Sequence, residues 1–360
     1  MSHTGRRSFN AVALALLSAL GIALLGGCAT AGYYAQSIGG HLDLMAKRQD
    51  VDTLVKSPTT PAELKEKLSR AEAIRTFATR ELALPDNGSY RTYVDVGKPF
   101  VTWNVVATPA LSLTAKTWCF PVAGCVSYRG YFDEADARAY GDELAAENMD
   151  VAVVGARAYS TLGWFDDPIL NTVLFDAEYR FAGTIFHELA HQRLYVQGDS
   201  AFNESYAVTV EREGVRRWLA RNSTPGMQQA YERERERREQ FLALVLATRA
   251  KLETLYASTM SDSAKLREKA RLFDELRAAY QRLRDSWGGY SGYDAWFASD
   301  LNNAKLALLA TYNVYVPAFQ HLLAEQQGDM AKFHAAAEAL SKLPKDERDA
   351  ALSALAAQVS

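Results

Sequence analysis

The chain has 360 residues, 40 Lys and Arg against 43 Asp and Glu, a formal net charge of -3 and a 48% apolar fraction. That balance, with no basic patch interleaved with aromatics, argues against a nucleic-acid-binding protein. What remains is a globular chain able to bury one sizeable core or two small ones.

The N-terminus reads as an address. Arg6 and Arg7 form a positive n-region, and Ala11 to Leu25 is an apolar h-region. It is short for a membrane span, which needs about 20 apolar residues. Arg6-Arg7-Ser8-Phe9 also has a twin-arginine look, which would mean export in a folded state. Leu25-Gly26-Gly27-Cys28 closes the segment and resembles the lipobox of bacterial lipoproteins. That resemblance implies removal of residues 1–27, lipid on Cys28 and, with Ala29 next, an outer-membrane anchor facing the periplasm.

The expected elements follow in order. Tyr34, Ile38, Leu42, Leu44 and Met45 suggest an amphipathic helix over Ala31 to Val55, interrupted at Gly39-Gly40. A helix from Pro61 to Leu84 starts with Thr60 as cap and Glu63 closing a capping box. Between Tyr90 and Val126, Tyr93, Val94, Val101, Trp103, Val105 and Leu111 alternate with polar residues and predict a small sheet. Inside it, Pro121 and Gly124 favour a turn bringing Cys119 and Cys125 together, as a disulfide in an oxidising compartment or as two buried thiols. Asp133 to Asn148 is helical, Val151 to Ala156 a buried strand, and Ala158 to Pro168 an aromatic-rich loop. Strand and loop together are a place where a peptide could add along a sheet edge.

After Gly214 the pattern is nearly all helical. The stripe Phe241, Leu244, Thr248, Leu252, Leu255 is answered by Phe273, Leu276, Tyr280, Leu283, Trp287, predicting a helical hairpin turning near Met260 to Ser263. Tyr293 to Leu323 and a short helix from about Asp329 follow, and the last ten residues read as a fraying, alanine-rich end.

Thr184 to Gly214 carries the chemistry. Phe181, Ile185, Leu189 and Leu194 recur at helical spacing, and His187-Glu188-Leu189-Ala190-His191 sets two imidazoles one turn apart on one face. This is the H-E-x-x-H pattern, in which two histidines hold zinc and the glutamate reaches a water on that metal. Gly198-Asp199 breaks the helix, and a second one starting near Ser200 or Asn203 would return Glu204 opposite the histidines as third ligand. Glu188 is then the general base of peptide hydrolysis. Tyr312 and Tyr315 are candidate oxyanion donors by position and character, and Glu211 a candidate to orient a histidine.

H-E-L-A-H followed by Asn203-Glu204-Ser205-Tyr206-Ala207 resembles the gluzincin metallopeptidases, whose third ligand is glutamate. The lipobox, Cys119-Phe120-Pro121 to Cys125, Tyr128-Arg129-Gly130-Tyr131-Phe132, Gly163-Trp164-Phe165-Asp166-Asp167-Pro168, the metal motif and Asn302-Asn303-Ala304 together resemble a bacterial family of predicted aminopeptidases, often lipoproteins. The resemblance implies His187, His191 and Glu204 as zinc ligands and Glu188 as base. It lacks the G-x-M-E-N motif by which well-known gluzincin aminopeptidases hold a substrate's amino group, so Asp166 and Asp167 stand as possible substitutes. Val208 stands four residues after Glu204, where thermolysin-like enzymes have an aspartate.

The expected fold is α+β and mostly helical, of zincin type, with a small β-sheet beside the motif helix and a C-terminal helical hairpin. Residues 28–360 would form one unit, with the zincin core at about 84–221 and the helical part at about 226–345. The expected function is zinc-dependent peptide hydrolysis in the periplasm, with peptide or protein substrates and no nucleic acid. An envelope endopeptidase, or a binding lipoprotein with a structural or vestigial zinc site, are the alternatives.

Overall fold

In the computed structural model the described residues are 31–120, 124–311 and 313–358; the signal sequence, Cys28 and Tyr312 lie outside them. The chain divides into two compact units after Lys47. In the first, residues 31–46 form one continuous helix, so Gly39-Gly40 does not interrupt it. Glycine inside a helix costs about 1 kcal/mol against alanine, which weakens a helix without having to break it. No helix among the described residues is long and apolar enough to cross a membrane.

The second unit is mostly helical with small sheets, an α+β arrangement. Its central sheet has Thr102–Pro109 in the middle, antiparallel to Arg129–Tyr131 on one side and to Met149–Ala156 on the other. Side chains alternate across it. Val151 and Val153 meet helix Glu134–Ala146 at Gly141, where a Cβ would lie 3.2 Å from Val153 Cγ2. Val106 and Ala152 on the opposite face pack on Ala304 of helix Asn303–Thr311. The strand expected to be buried is instead an edge strand and largely half-exposed, because among the described residues it has a partner strand on one side only. A second sheet sets Thr92–Val94 between Gln49–Asp50 and Ile169–Leu170.

Helices Glu178–Arg193 and Ser200–Asn222 form the centre of the unit. Phe181, Ile185, Phe186 and Leu189 of the first, and Phe202, Tyr206, Val210 and Trp218 of the second, are buried. Two glycines let the backbones approach. A Cβ at Gly183 would stand 3.3 Å from Glu211 Cγ, and one at Gly214 would stand 2.5 Å from Phe186 Cδ2.

Several boundaries differ from expectation. Helix Ala62–Leu82 begins one residue late, with Pro61 itself in the cap position and no side-chain cap; proline's fixed φ suits either place. The predicted hairpin is present as Pro225–Ala257 and Asp262–Ser286, with Leu252, Phe273, Leu276 and Tyr280 buried. Cys119 and Cys125 face each other across the hairpin Trp118–Phe120 and Gly124–Val126 and are disulfide-bonded, with 3.8 Å between Cα atoms. Residues 351–357 are not the fraying tail expected of them. Residues Lys345–Ala357 form a helix in which Leu352 is fully buried and Arg348 nearly so. Its alanines carry no apolar stripe, yet their small size lets it pack closely on helix Val316–Glu325.

His334, on helix Met330–Ser341, ties this C-terminal layer to the centre. Its Nε2–H donates to Leu82 O at 2.8 Å, and its Nδ1 accepts from the Tyr206 hydroxyl at 2.7 Å. Burial, set against the Leu82 bond, holds the imidazole down at about 4, so the folded ring is neutral where an unfolded one begins to charge. The stability it contributes is therefore complete above about 6.5 and lost as pH falls towards 4, by up to about 3 kcal/mol. Urea denaturation across that window should show a flatter pH dependence for His334→Gln than for the parent; parallel curves would rule His334 out as the cause.

Candidate metal centre

The motif helix buries its apolar face and turns Thr184, His187, Glu188 and His191 towards a cleft. It stops at Leu194, where the backbone becomes extended, and the chain reverses at Gly198 with φ 79°. The next helix is fixed at its first turn by three contacts. Asp199 caps it by accepting from Phe202 N at 3.2 Å. Arg348 donates from Nε and Nη2 to Asp199 Oδ2 at 3.0 and 2.7 Å, both side chains being buried. The Asn203 amide bridges the N–H and C=O of Val196 at 2.7 and 2.8 Å, as a neighbouring strand would. The disulfide hairpin lies on the same turn, since a Cβ at Gly124 would come within 2.4 Å of Gln197 Cγ. Glu204, one turn on, is thereby delivered opposite the histidines.

His187 Nε2 lies 3.1 Å from His191 Nε2 and 3.2 Å from Glu204 Oε2, and His191 Nε2 is 3.7 Å from the same oxygen. Donors at zinc-ligand distance on a tetrahedral ion stand roughly 3.3–3.5 Å apart. The spacing of the three atoms is that of donors around one ion, and they form the group among the described residues that could hold a metal. Behind them, His187 Nδ1 is 3.1 Å from Glu211 Oε2. An Nδ1–H donated to Glu211 leaves Nε2 with its lone pair towards the centre. His191 Nδ1 is buried without a hydrogen-bond partner among the described residues.

The electrostatics point the same way. Burial opposes a charged His187, but Glu204 and Glu211 outweigh it and raise its proton affinity well above an ordinary imidazole's. Burial likewise opposes ionised Glu204, yet His191 and His187 outweigh it and hold the carboxyl at about 2. Glu211 is lowered too, against burial, by His187 and Arg238. A field that draws a proton onto His187 draws a metal cation to the same place.

Glu188 opens into the same cavity, of about 370 Å³, together with the three donors and with Tyr128, Ser160 and Tyr195. Tyr195 escaped sequence reading, and Tyr128 entered it only within a motif of the family resemblance, without a site role. Tyr195 comes four residues after His191, on the motif's own face, but just past the helix end. Its ring centroid is 6.4 Å from that of His191, and burial, then Glu204, raise its hydroxyl. Tyr315 does not face the centre: its N–H donates to Ser205 Oγ at 3.1 Å and its hydroxyl is directed at Asp349. Asp166 is exposed and Asp167 fully buried, and neither lines the cavity.

Asp167 instead belongs to a polar layer behind the motif helix. It accepts from Thr161 N at 2.9 Å, and burial, assisted by Glu188, raises its carboxyl to about 6. Gln192, beside His191, donates to Ser89 Oγ at 3.1 Å and accepts from Asn87 Nδ2 at 2.7 Å. The loop carrying Asn87 and Ser89 is held in turn by buried Arg75, which donates to the carbonyls of Ser89 and Pro85.

Fold and site define an α+β protein with a two-histidine, one-glutamate cluster on paired central helices. The family model described as "Putative aminopeptidase" matches residues 32–352, and the chain belongs to that family. No curated protein and no solved structure matches it.

Arg348→Met would leave Asp199 buried with only Lys345 nearby, 3.6 Å away and half-exposed. An uncompensated buried charge costs about 3–5 kcal/mol. That loss is expected in urea denaturation; a change below about 1 kcal/mol would mean that the pair does not hold the turn.

Proposed function

We propose that this protein is a zinc metallopeptidase of zincin type that hydrolyses short peptides, acting as an aminopeptidase. One observation carries the reading: His187, His191 and Glu204 converge to ligand spacing while Glu188, which is not part of that cluster, opens into the same cavity. A purely structural site has no use for a free carboxylate beside it. Zinc bound there would supply a Lewis acid that polarises a carbonyl and acidifies water. Glu188 takes the proton of the attacking water at its carboxylate and returns it to the leaving amine. Glu211 keeps His187 in the tautomer that presents Nε2. Tyr195, on the cavity wall beside His191, donates its hydroxyl to the developing oxyanion.

The edge strand supplies a docking track. Ala156 O accepts from Val101 N, just ahead of the neighbouring strand, and Val151 O points the other way, to Asn302 Nδ2 at 2.8 Å. By antiparallel alternation the N–H and C=O groups of Val153 and Gly155 also face away from the sheet. Since Ala156, Arg157 and Ala158 line the cavity, a peptide adding along Val153 and Gly155 runs directly to Glu188. The family match supports cleavage at peptide N-termini, and the segment ending at Cys28 supports export and anchoring in the outer membrane, facing the periplasm.

The test is metal content and turnover together, on protein starting at residue 28 with Cys28→Ser. The parent should retain one zinc per chain and the double variant His187→Ala, His191→Ala none, by elemental analysis. Glu188→Gln should keep its zinc and lose peptide hydrolysis by about a thousandfold or more. Unchanged turnover in Glu188→Gln would refute the mechanism, and a folded parent that takes up no zinc would refute the metal site.

A further inference from the structure

A second cavity adjoins the centre. A space of about 230 Å³ beside His187 and Glu188 shares Thr184, Glu211 and Arg238 with a larger one of about 270 Å³. The larger one reaches along the motif helix to Arg180 and across to Arg212. Its walls hold acids and bases in equal measure, but the acids are taken. Asp176 pairs with Arg157 at 2.9 Å, Glu234 with Arg180 at 2.8 Å and the Tyr179 hydroxyl at 2.7 Å, and Glu239 with Arg235 at 2.7 Å. Glu211 is bonded to His187 at 3.1 Å.

Two guanidinium groups are left over. Arg212 is half-buried and makes no hydrogen bond or ion pair among the described residues, and Arg238 comes no nearer to a carboxylate than 4.0 Å, at Glu211. Burial, and then Arg238, push Arg212 below the ordinary arginine range. A guanidinium on a cavity wall without a hydrogen-bonded partner carries a desolvation cost that Glu211 and Glu239 offset only from a distance. A planar fork of N–H donors is matched by a carboxylate, which it binds in two parallel hydrogen bonds.

We propose that Arg212 and Arg238 form a subsite for a carboxylate of the substrate, met first by the C-terminal carboxylate of a short peptide. The proposal rests on the peptidase reading above and narrows its substrate class. Thr184 and Arg180 precede Glu188 by one and two helical turns, so the subsite lies about 6–12 Å along the helix from the base. An extended chain covers that distance in about two to four residues. The scissile bond thus falls two to four residues from the peptide's C-terminus, which suits small peptides and disfavours the interior of a folded protein.

The test uses zinc-loaded Glu188→Gln protein and calorimetric titration with penta-alanine, its C-terminal amide, and the same amide ending in glutamate. The free acid should bind about 10- to 100-fold more tightly than the plain amide, and the ratio should collapse towards one when Arg212→Gln is added. Tight binding of the glutamate amide, also lost with Arg212→Gln, supports the subsite with an acidic side chain as its source. Equal affinities for all three, or no binding of any, overturn it. Arg212 makes no hydrogen bond or close ion pair among the described residues, acting on Glu211 and Glu239 only at longer range, so the added change should leave the melting temperature within about 1 °C of the parent's; a larger drop would assign Arg212 a structural role and overturn the subsite. If the acid preference is present but the parent cleaves none of the peptides, the hydrolytic reading fails while the subsite stands.

Discussion

Everything at the centre depends on one reversal of the chain, between Val196 and Asn203. Two helices of ordinary sequence can cross at many angles and registers, and only one register places a carboxylate within reach of two imidazoles. The reversal is held by a buried ion pair, Asp199 with Arg348, by a helix cap from the same aspartate, and by the Asn203 amide spanning Val196. Gly183 and Gly214 then let the helices close to a separation that larger residues would forbid. Position along the helix and distance between helices are set by different residues, and Glu204 meets His187 and His191 only when both are right.

Charge completes what packing begins. Glu204 and Glu211 flank His187 from two sides, and Arg238 stands 4.0 Å from Glu211, so the two imidazoles carry most of the compensation for these carboxylates. Buried carboxylates are costly unless positive charge, as a proton or a metal ion, is held between them. In the cavity next door the acids and arginines are equal in number, but the acids are engaged while Arg212 makes no hydrogen bond or ion pair among the described residues. The two imbalances lie on either side of Glu211, so a ligand negative at one end and polarisable at the other would satisfy both.

How much of this could be read in the sequence varied with distance along the chain. The motif helix, the Gly198-Asp199 break and the return of Glu204 are local matters of helical period and turn chemistry, and the structure brings those three side chains together as the spacing implies. Glu211 falls on the expected face for the same reason, two turns beyond Glu204. Arg348 was invisible because nothing near it in sequence announces a partner 149 positions earlier. The alanine-rich segment around it lacks an apolar stripe and so reads as a tail, although small side chains are what permit close helix packing. Asp167 shows the opposite case: an acidic residue in a distinctive motif invites a substrate-binding role, but Ser89 and Thr161 engage it in the layer behind the helix. Tyr195 sits one residue too far past the helix end for periodicity to place it.

The ion pair between Asp199 and Arg348 also constrains the order in which the molecule can assemble. Until the segment bearing Arg348 docks, Asp199 must either stay hydrated or sit as a lone buried charge, and the reversal it caps cannot settle. His334 imposes a similar condition, reaching Tyr206 across 128 positions and Leu82 across 252. Contacts of such sequence separation form late, because large loops must be closed before any interaction rewards them. The cluster of His187, His191 and Glu204 is therefore among the last features of the fold to be finished, although its residues lie within a single helical hairpin.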